Sequence, residues 1–119
     1  MSVATKDIIP ESVAPSNQWS VILNIFNNDE TEICTSPKNK RESLWFSVRI
    51  IDNFVCVSNA KVNSPSSKLK KYRKLGHAEF TRMYPIYLKR KAGYAVSAEA
   101  SAASHNQTYW YAIMDYCGL

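Results

Sequence analysis

The stretch RESLWFSVRIIDNFVCVSN, Arg41 to Asn59, holds the clearest folding signal in the chain. Leu44, Phe46, Val48 and Ile50 recur at every second position, the period that places side chains on one face of a strand. Asp52-Asn53 supplies the chemistry of a two-residue hairpin turn, since both residues tolerate left-handed backbone. Val55 and Val57 then return opposite Ile50 and Val48 on the same face, so register and burial agree. The reverse face carries Trp45, Ser47, Arg49 and Ile51 beside Phe54, Cys56 and Ser58. That mixture suits either a half-wetted surface able to bind something or a face covered by a second layer.

Outward from the hairpin, QWSVILNIF from Gln18 sets Trp19, Val21, Leu23 and Ile25 against Ser20, Ile22, Asn24 and Phe26, which predicts a buried strand. Asn27 to Glu30 close it as a turn. Thr31 to Thr35 predict a short partner strand, and residues 36–41 a polar loop. Ser64 to Ser67 and Gly76 bracket KLKKYRK, Lys68 to Lys74, which reads as a short helix ended by the glycine or as a solvated basic loop. HAEFTRMYPIYLKRK alternates Phe80, Arg82, Tyr84, Ile86 and Leu88, a strand that Pro85 confines to an edge or a bulge. YAVSAEASAAS could alternate as a strand or, being Ala-rich, form a helix, with a strand expected in its first half only, and TYWYAIMDYC, aromatic on both faces, predicts a final central strand. The expected fold is a single compact α+β domain, predominantly β, of about five to seven antiparallel strands with one or two short helices. Residues 1–17, with Pro10 and Pro15, are expected to form a loosely ordered N-terminal arm ahead of one β-rich domain over 18–119.

Length and composition agree with one core: 119 residues, 45% hydrophobic, with seven Tyr, four Phe and three Trp. No apolar run approaches the ~20 residues of a spanning helix, and the N-terminus lacks the basic and apolar regions of a secretory signal. A cytoplasmic setting is expected, and Lys70 to Arg73 also fits the short basic pattern of nuclear import. Cys34, Cys56 and Cys117 are odd in number and form no CxxC pair, which argues against a disulfide framework or a zinc knuckle. Two histidines, His77 and His105, lie in expected loops outside any nucleophile motif, leaving Cys117 with His105 as a weak pairing. The clustered carboxylates Asp29, Glu30 and Glu32 read as a solvated turn, and the three glycines are isolated, so no phosphate-cradling loop exists. No catalytic residue, metal site or cofactor is expected, and the chain reads as a non-enzyme.

Charge is the informative quantity. Between Lys38 and Lys91 lie 14 of the 15 Lys and Arg residues against Glu42, Asp52 and Glu79, a net +11, whereas residues 1–37 carry −4. A lopsided basic block is the footprint of a polyanionic partner. Aromatics are interleaved with it: Lys68, Lys70, Lys71, Arg73 and Lys74 surround Tyr72; Arg82 precedes Tyr84 and Tyr87; Lys89, Arg90 and Lys91 precede Tyr94. Cations attract phosphates and release counterions, while tyrosine rings stack unpaired bases at ~1–3 kcal/mol each. These thirteen residues are the candidate site for RNA or single-stranded nucleic acid, bound without sequence preference. A small viral coat-like or nucleocapsid-like protein that packages or sequesters nucleic acid has this make-up. The alternative is a self-associating, matrix-like protein on anionic membrane, assembling through the Pro85 strand or the exposed side of the Trp45 hairpin.

Overall fold

In the computed structural model, residues 10–27, 29–35 and 42–119 are described, the first seven as backbone alone. The expected loop over 36–41 and the first nine residues of the expected arm lie outside them. Four helices and one four-stranded antiparallel sheet follow in the order α1 (Pro10–Ile25), β1 (Thr31–Cys34), β2 (Trp45–Ile51), β3 (Phe54–Asn59), β4 (Arg73–Leu75), α2 (His77–Lys91), α3 (Ser97–Ala103) and α4 (Gln107–Tyr116). The strands lie side by side in chain order, β1 to β4.

The hairpin forms in the expected register. Val48 pairs with Val57 and Ile50 with Val55, and Asp52 and Asn53 both take positive φ, 52° and 64°. The primed turn this makes matches the right-handed twist of the flanking strands. Phe46, Val48, Val55 and Val57 are completely buried. The expected partner strand is β1, with Ile33 opposite Phe46 and also buried.

The predominantly β reading is corrected by the rest of the chain. Helices of 16, 15, 7 and 10 residues outweigh strands of 4, 7, 6 and 3. The strand expected over Gln18–Phe26 is the second half of α1 and its continuation: Trp19, Ile22 and Phe26, spaced i, i+3 and i+7, are the buried positions, and Ile25 is exposed. The expected Pro85 edge strand is α2. It buries Phe80, Met83 and Tyr87 at the same spacing, opens with Glu79 and closes with Lys89, Arg90 and Lys91, the polarity a helix dipole favours. Pro85 is accommodated because it and Thr81 stand on the exposed face, where water serves the carbonyl that the ring leaves unbonded. Of the strand expected in the first half of the stretch after Gly93, Tyr94 to Val96 are irregular and the remainder opens α3, the Ala-rich helix that was the alternative; the expected final strand is α4. Trp110 to Met114 are all buried there, since the middle of α4 lies against both β1 and α2, while Thr108, Asp115 and Tyr116 towards its ends are exposed. The helix expected over Lys68–Lys74 is irregular chain running into β4. Leu75 enters the core with no exposed surface, and extended Gly76 (ψ 173°) starts α2 rather than ending a helix.

Trp19 and Ile22 of α1, Phe26 just after it, Phe80 and Met83 of α2, Ala100 of α3 and Trp110 and Ile113 of α4 share one core cluster with the inward residues of the sheet. Helices thus cover one sheet face, and Arg49, Phe54 and Lys74 stand exposed on the other.

Candidate nucleic-acid interface

Residues 60–72 form a strap that links β3 to β4 and carries most of KLKKYRK. Its geometry is imposed by two side chains. Asn59, at the end of β3, accepts from Leu69 N at 2.8 Å and Ser67 Oγ at 3.1 Å and donates Nδ2 to Leu69 O at 2.9 Å. Glu32, on β1, accepts from the backbone N–H groups of Lys61, Val62 and Asn63 and from Asn63 Nδ2, at 2.7 to 3.0 Å. Those donors, the Asn63 and Lys61 amides foremost, hold the Glu32 carboxyl far down, at about 2. Glu30 adds an ion pair to Lys61 at 2.9 Å and accepts from Ser47 Oγ at 3.0 Å, and the Lys61 bond is the main reason its carboxyl is also lowered. The acidic turn is therefore a clamp on the strap rather than a solvated loop.

The strap presents Lys68, Lys70, Lys71 and Tyr72 to solvent, Tyr72 with 57% of its surface exposed. These three lysines make no ion pair or hydrogen bond among the described residues. Strand β4 then divides its two cations between the faces of the sheet. Lys74 pairs with Cys56, and Cys56 with Arg49, so that Arg49, Cys56 and Lys74 form a row across the uncovered face. Burial raises the Cys56 thiol pKa, against the pull of the two cations beside it. Lys74 Nζ sits 5.1 Å from the centre of the Phe54 ring, a cation–π contact, and Phe54 is 39% exposed. Arg73 turns to the helical side instead. It donates to Asn106 Oδ1 at 2.8 Å and lies over the Tyr109 ring.

Asn106 in turn donates to Glu79, as does Ser104 Oγ. Burial opposes ionisation of Glu79, but these hydrogen bonds prevail and hold its pKa low. This network ties β4, α2 and the α3–α4 turn together.

The cations of α2 are used within the fold. Arg82 donates at 3.4 Å to the carbonyls of Ala103 and Ala78. Lys89 pairs with Glu99 at 3.0 Å, Arg90 stacks 4.1 Å over Tyr111, and Lys91 reaches the Leu119 carbonyl and the Tyr87 ring. Lys89 lies twelve residues of helix, about 18 Å, from His77, where α2 leaves β4. Of the aromatic candidates, Tyr87 is only 1% exposed and donates its hydroxyl to Asp115 at 2.7 Å, which removes it as a stacking surface. Tyr84 is half-buried with its ring on Phe80, and Tyr94 is 66% exposed but lies beyond the far end of α2.

Lys68, Lys70, Lys71, Tyr72 and Lys74 thus stand exposed along the strap and β4, whereas Arg82, Lys89, Arg90 and Lys91 are engaged within the fold, Tyr87 is buried, Tyr84 packs on Phe80 and Tyr94 is exposed after α2. The structure adds Arg49 and Phe54, which sequence reasoning placed on the hairpin's reverse face without including them in the site. His105 and Cys117 flank opposite ends of α4 and cannot meet, and burial raises the Cys117 thiol to about 12. Among the described residues no cluster of three His, Cys, Asp or Glu side chains is placed to hold a metal ion, and no helix is long and apolar enough to cross a membrane.

Fold and surface together define the class: a two-layer α+β domain with helices on one face of an antiparallel sheet and a cationic strap at its β4 edge. No family model, curated protein or solved structure matches this chain significantly.

Proposed function

We propose that this protein binds RNA or single-stranded nucleic acid, without catalysing a reaction, along the strap and the uncovered sheet face beside it. One observation carries the reading. Lys68, Lys70, Lys71, Lys74 and Arg49 are exposed cations that make no ion pair among the described residues, exposed Tyr72 stands within the lysine run and Phe54 under Lys74. The cations supply phosphate contacts and counterion release, and the two rings supply stacking surfaces for bases held apart from a duplex. Nothing in this chemistry distinguishes one base from another, so the mode suits packaging or sequestration.

The test is fluorescence anisotropy with a labelled oligouridylate, a duplex RNA competitor and a sodium chloride series. The logarithm of affinity is expected to fall linearly with the logarithm of salt concentration. A Lys70→Ala/Lys71→Ala/Lys74→Ala variant should bind more weakly and lose ~2 from the slope, at ~0.7 per phosphate contact on a single strand. An unchanged slope refutes the assignment of these lysines.

Val62 favours a second reading. It is an apolar side chain 85% exposed on the strap, next to Lys61, and such a residue beside lysines also suits an anionic membrane surface. Co-sedimentation with phosphatidylserine vesicles, together with no retention of oligouridylate, would establish that alternative in place of the first. Assembly through a Pro85 edge strand is no longer part of it, because Pro85 lies within α2.

A further inference from the structure

The sheet face turned away from the helices differs between its two ends. Glu32 stands opposite Ser47 on that face and holds residues 61–63 of the strap there, and Ser47 keeps only 1% of its surface exposed. Towards the hairpin turn the same face carries exposed side chains. Register sets Arg49, Cys56 and Lys74 side by side across β2, β3 and β4, with Ile51 and Phe54 in the next row. Arg49, Lys74 and Phe54 are all exposed.

This end of the face has the make-up of a phosphate clamp. Two strand spacings, about 10 Å, separate the Arg49 and Lys74 backbones, a gap that two long side chains close over the short one between them. The fields of both cations reach the Cys56 thiol, yet burial keeps that thiol protonated against their pull. The floor between the cations is therefore neutral, where a thiolate would cancel one of them. The carboxylates whose fields reach this row are Asp52, in the turn, and Glu30, on the Arg49 side. Glu30 is engaged through Oε1 with Ser47 and through Oε2 with Lys61, and neither Arg49 nor Lys74 makes an ion pair among the described residues. An arginine fork grips two phosphate oxygens, and a lysine adds a point charge.

Phe54 supplies the second half of a nucleotide's needs. Its ring lies over Gly76, where a missing side chain leaves room, and Lys74 Nζ stands 5.1 Å from the ring centre. An ammonium over an exposed ring is held weakly, so an arriving phosphate draws Lys74 away and leaves that ring face to a base. Phe54 and Cys56 are two residues apart on one face, about 7 Å, a gap that one sugar bridges between its base and its phosphate.

We infer that the turn end of this face is a subsite for a single nucleotide, with the phosphate between Arg49 and Lys74 and the base on Phe54. The subsite rests on the nucleic-acid reading for the polymer to which that nucleotide belongs, and it gives the polymer a fixed point on the sheet beyond the strap lysines.

The experiment is an amide correlation titration of the full chain with uridine 5′-monophosphate. Parallel titrations use uridine, which lacks the phosphate, and ribose 5-phosphate, which lacks the base. Saturable shifts are expected at the amides of Cys56, Lys74 and Gly76. Ribose 5-phosphate should bind roughly 5- to 150-fold more weakly than the nucleotide, the range of base–aromatic stacking, and uridine should also bind more weakly. Arg49→Gln, at an exposed position, should weaken the nucleotide and ribose 5-phosphate and leave uridine unchanged. Equal affinity for the nucleotide and ribose 5-phosphate, or a nucleotide affinity unchanged in Arg49→Gln, would each overturn the inference. Oligouridylate binding with the expected salt slope, while the nucleotide leaves these three amides unmoved, would sink the subsite and keep the nucleic-acid reading. Saturable nucleotide binding here without retention of oligouridylate would do the reverse, leaving a site for the free nucleotide.

Discussion

Replacing Asn59 by alanine tests whether the strap is a built presentation surface or a loop that merely happens to be basic. The amide of Asn59 makes three hydrogen bonds to Ser67 and Leu69, between 2.8 and 3.1 Å and partly shielded from water. A neutral hydrogen bond of this kind contributes about 0.5–1.5 kcal/mol net, so the three together are worth at most ~4.5 kcal/mol. Water can reach the Ser67 hydroxyl and the Leu69 backbone once the strap loosens, which places the expected loss nearer 2 kcal/mol. Urea unfolding followed by circular dichroism measures this loss, and hydrogen exchange at the Leu69 amide locates it. The informative part is the binding assay. No charge is removed, so oligouridylate affinity should fall while its salt slope stays at the wild-type value, the reverse of the lysine variant. A stability change below ~0.5 kcal/mol with unaltered Leu69 protection would refute the role assigned to Asn59. A lost slope would show that the lysine contacts do not survive loosening.

Other outcomes follow from the same geometry. Glu32 has a folded pKa of about 2 against an ordinary 4.5, so its hold on residues 61–63 is complete above 4.5 and is lost as pH falls through 2; exchange protection of those amides should decline over that window while the sheet amides persist. Asn53→Val forces a β-branched residue to φ 64° and should cost ~1–2 kcal/mol by urea unfolding, whereas Asn53→Gly should be neutral or stabilising. Gly76→Ala brings a Cβ to 3.0 Å from Phe54 Cε1, and the cost, measured by thermal unfolding, should shrink when Phe54→Ala is made alongside it. Cys117, raised to about 12, should resist alkylation at a pH where a model thiol reacts readily.

The hairpin was legible because alternation, turn residues and burial all pointed to one register, and that register also set Arg49 and Phe54 on the uncovered face. The helices were hidden by apolar residues that satisfy both periods. In α2, Phe80 and Tyr84 are four apart and fit a strand as well as a helix, and the buried trio Phe80, Met83 and Tyr87 fits only the helix. Pro85 then argued falsely for a sheet edge. In α4 the β-favouring aromatics were overridden by packing: Trp110 to Met114 form an unbroken buried run that fits either period, and only Thr108 and Asp115, seven apart, mark the helix's exposed side. Trp19, Ile22 and Phe26 were the signal that would have found α1. The division of the basic block was not legible, because it depends on partners distant in sequence: Glu99 for Lys89, Tyr111 for Arg90 and Asn106 for Arg73.

Among the described residues Glu30 and Glu32 beside and on β1 hold residues 61–63 at one end of the strap, and the other end of the strap runs into β4, three strand spacings, about 14 Å, away. A single connection thus fastens both edges of the sheet, so that releasing Glu32 would slacken the chain that positions Lys70 and Lys71 as well as the edge strand it leaves.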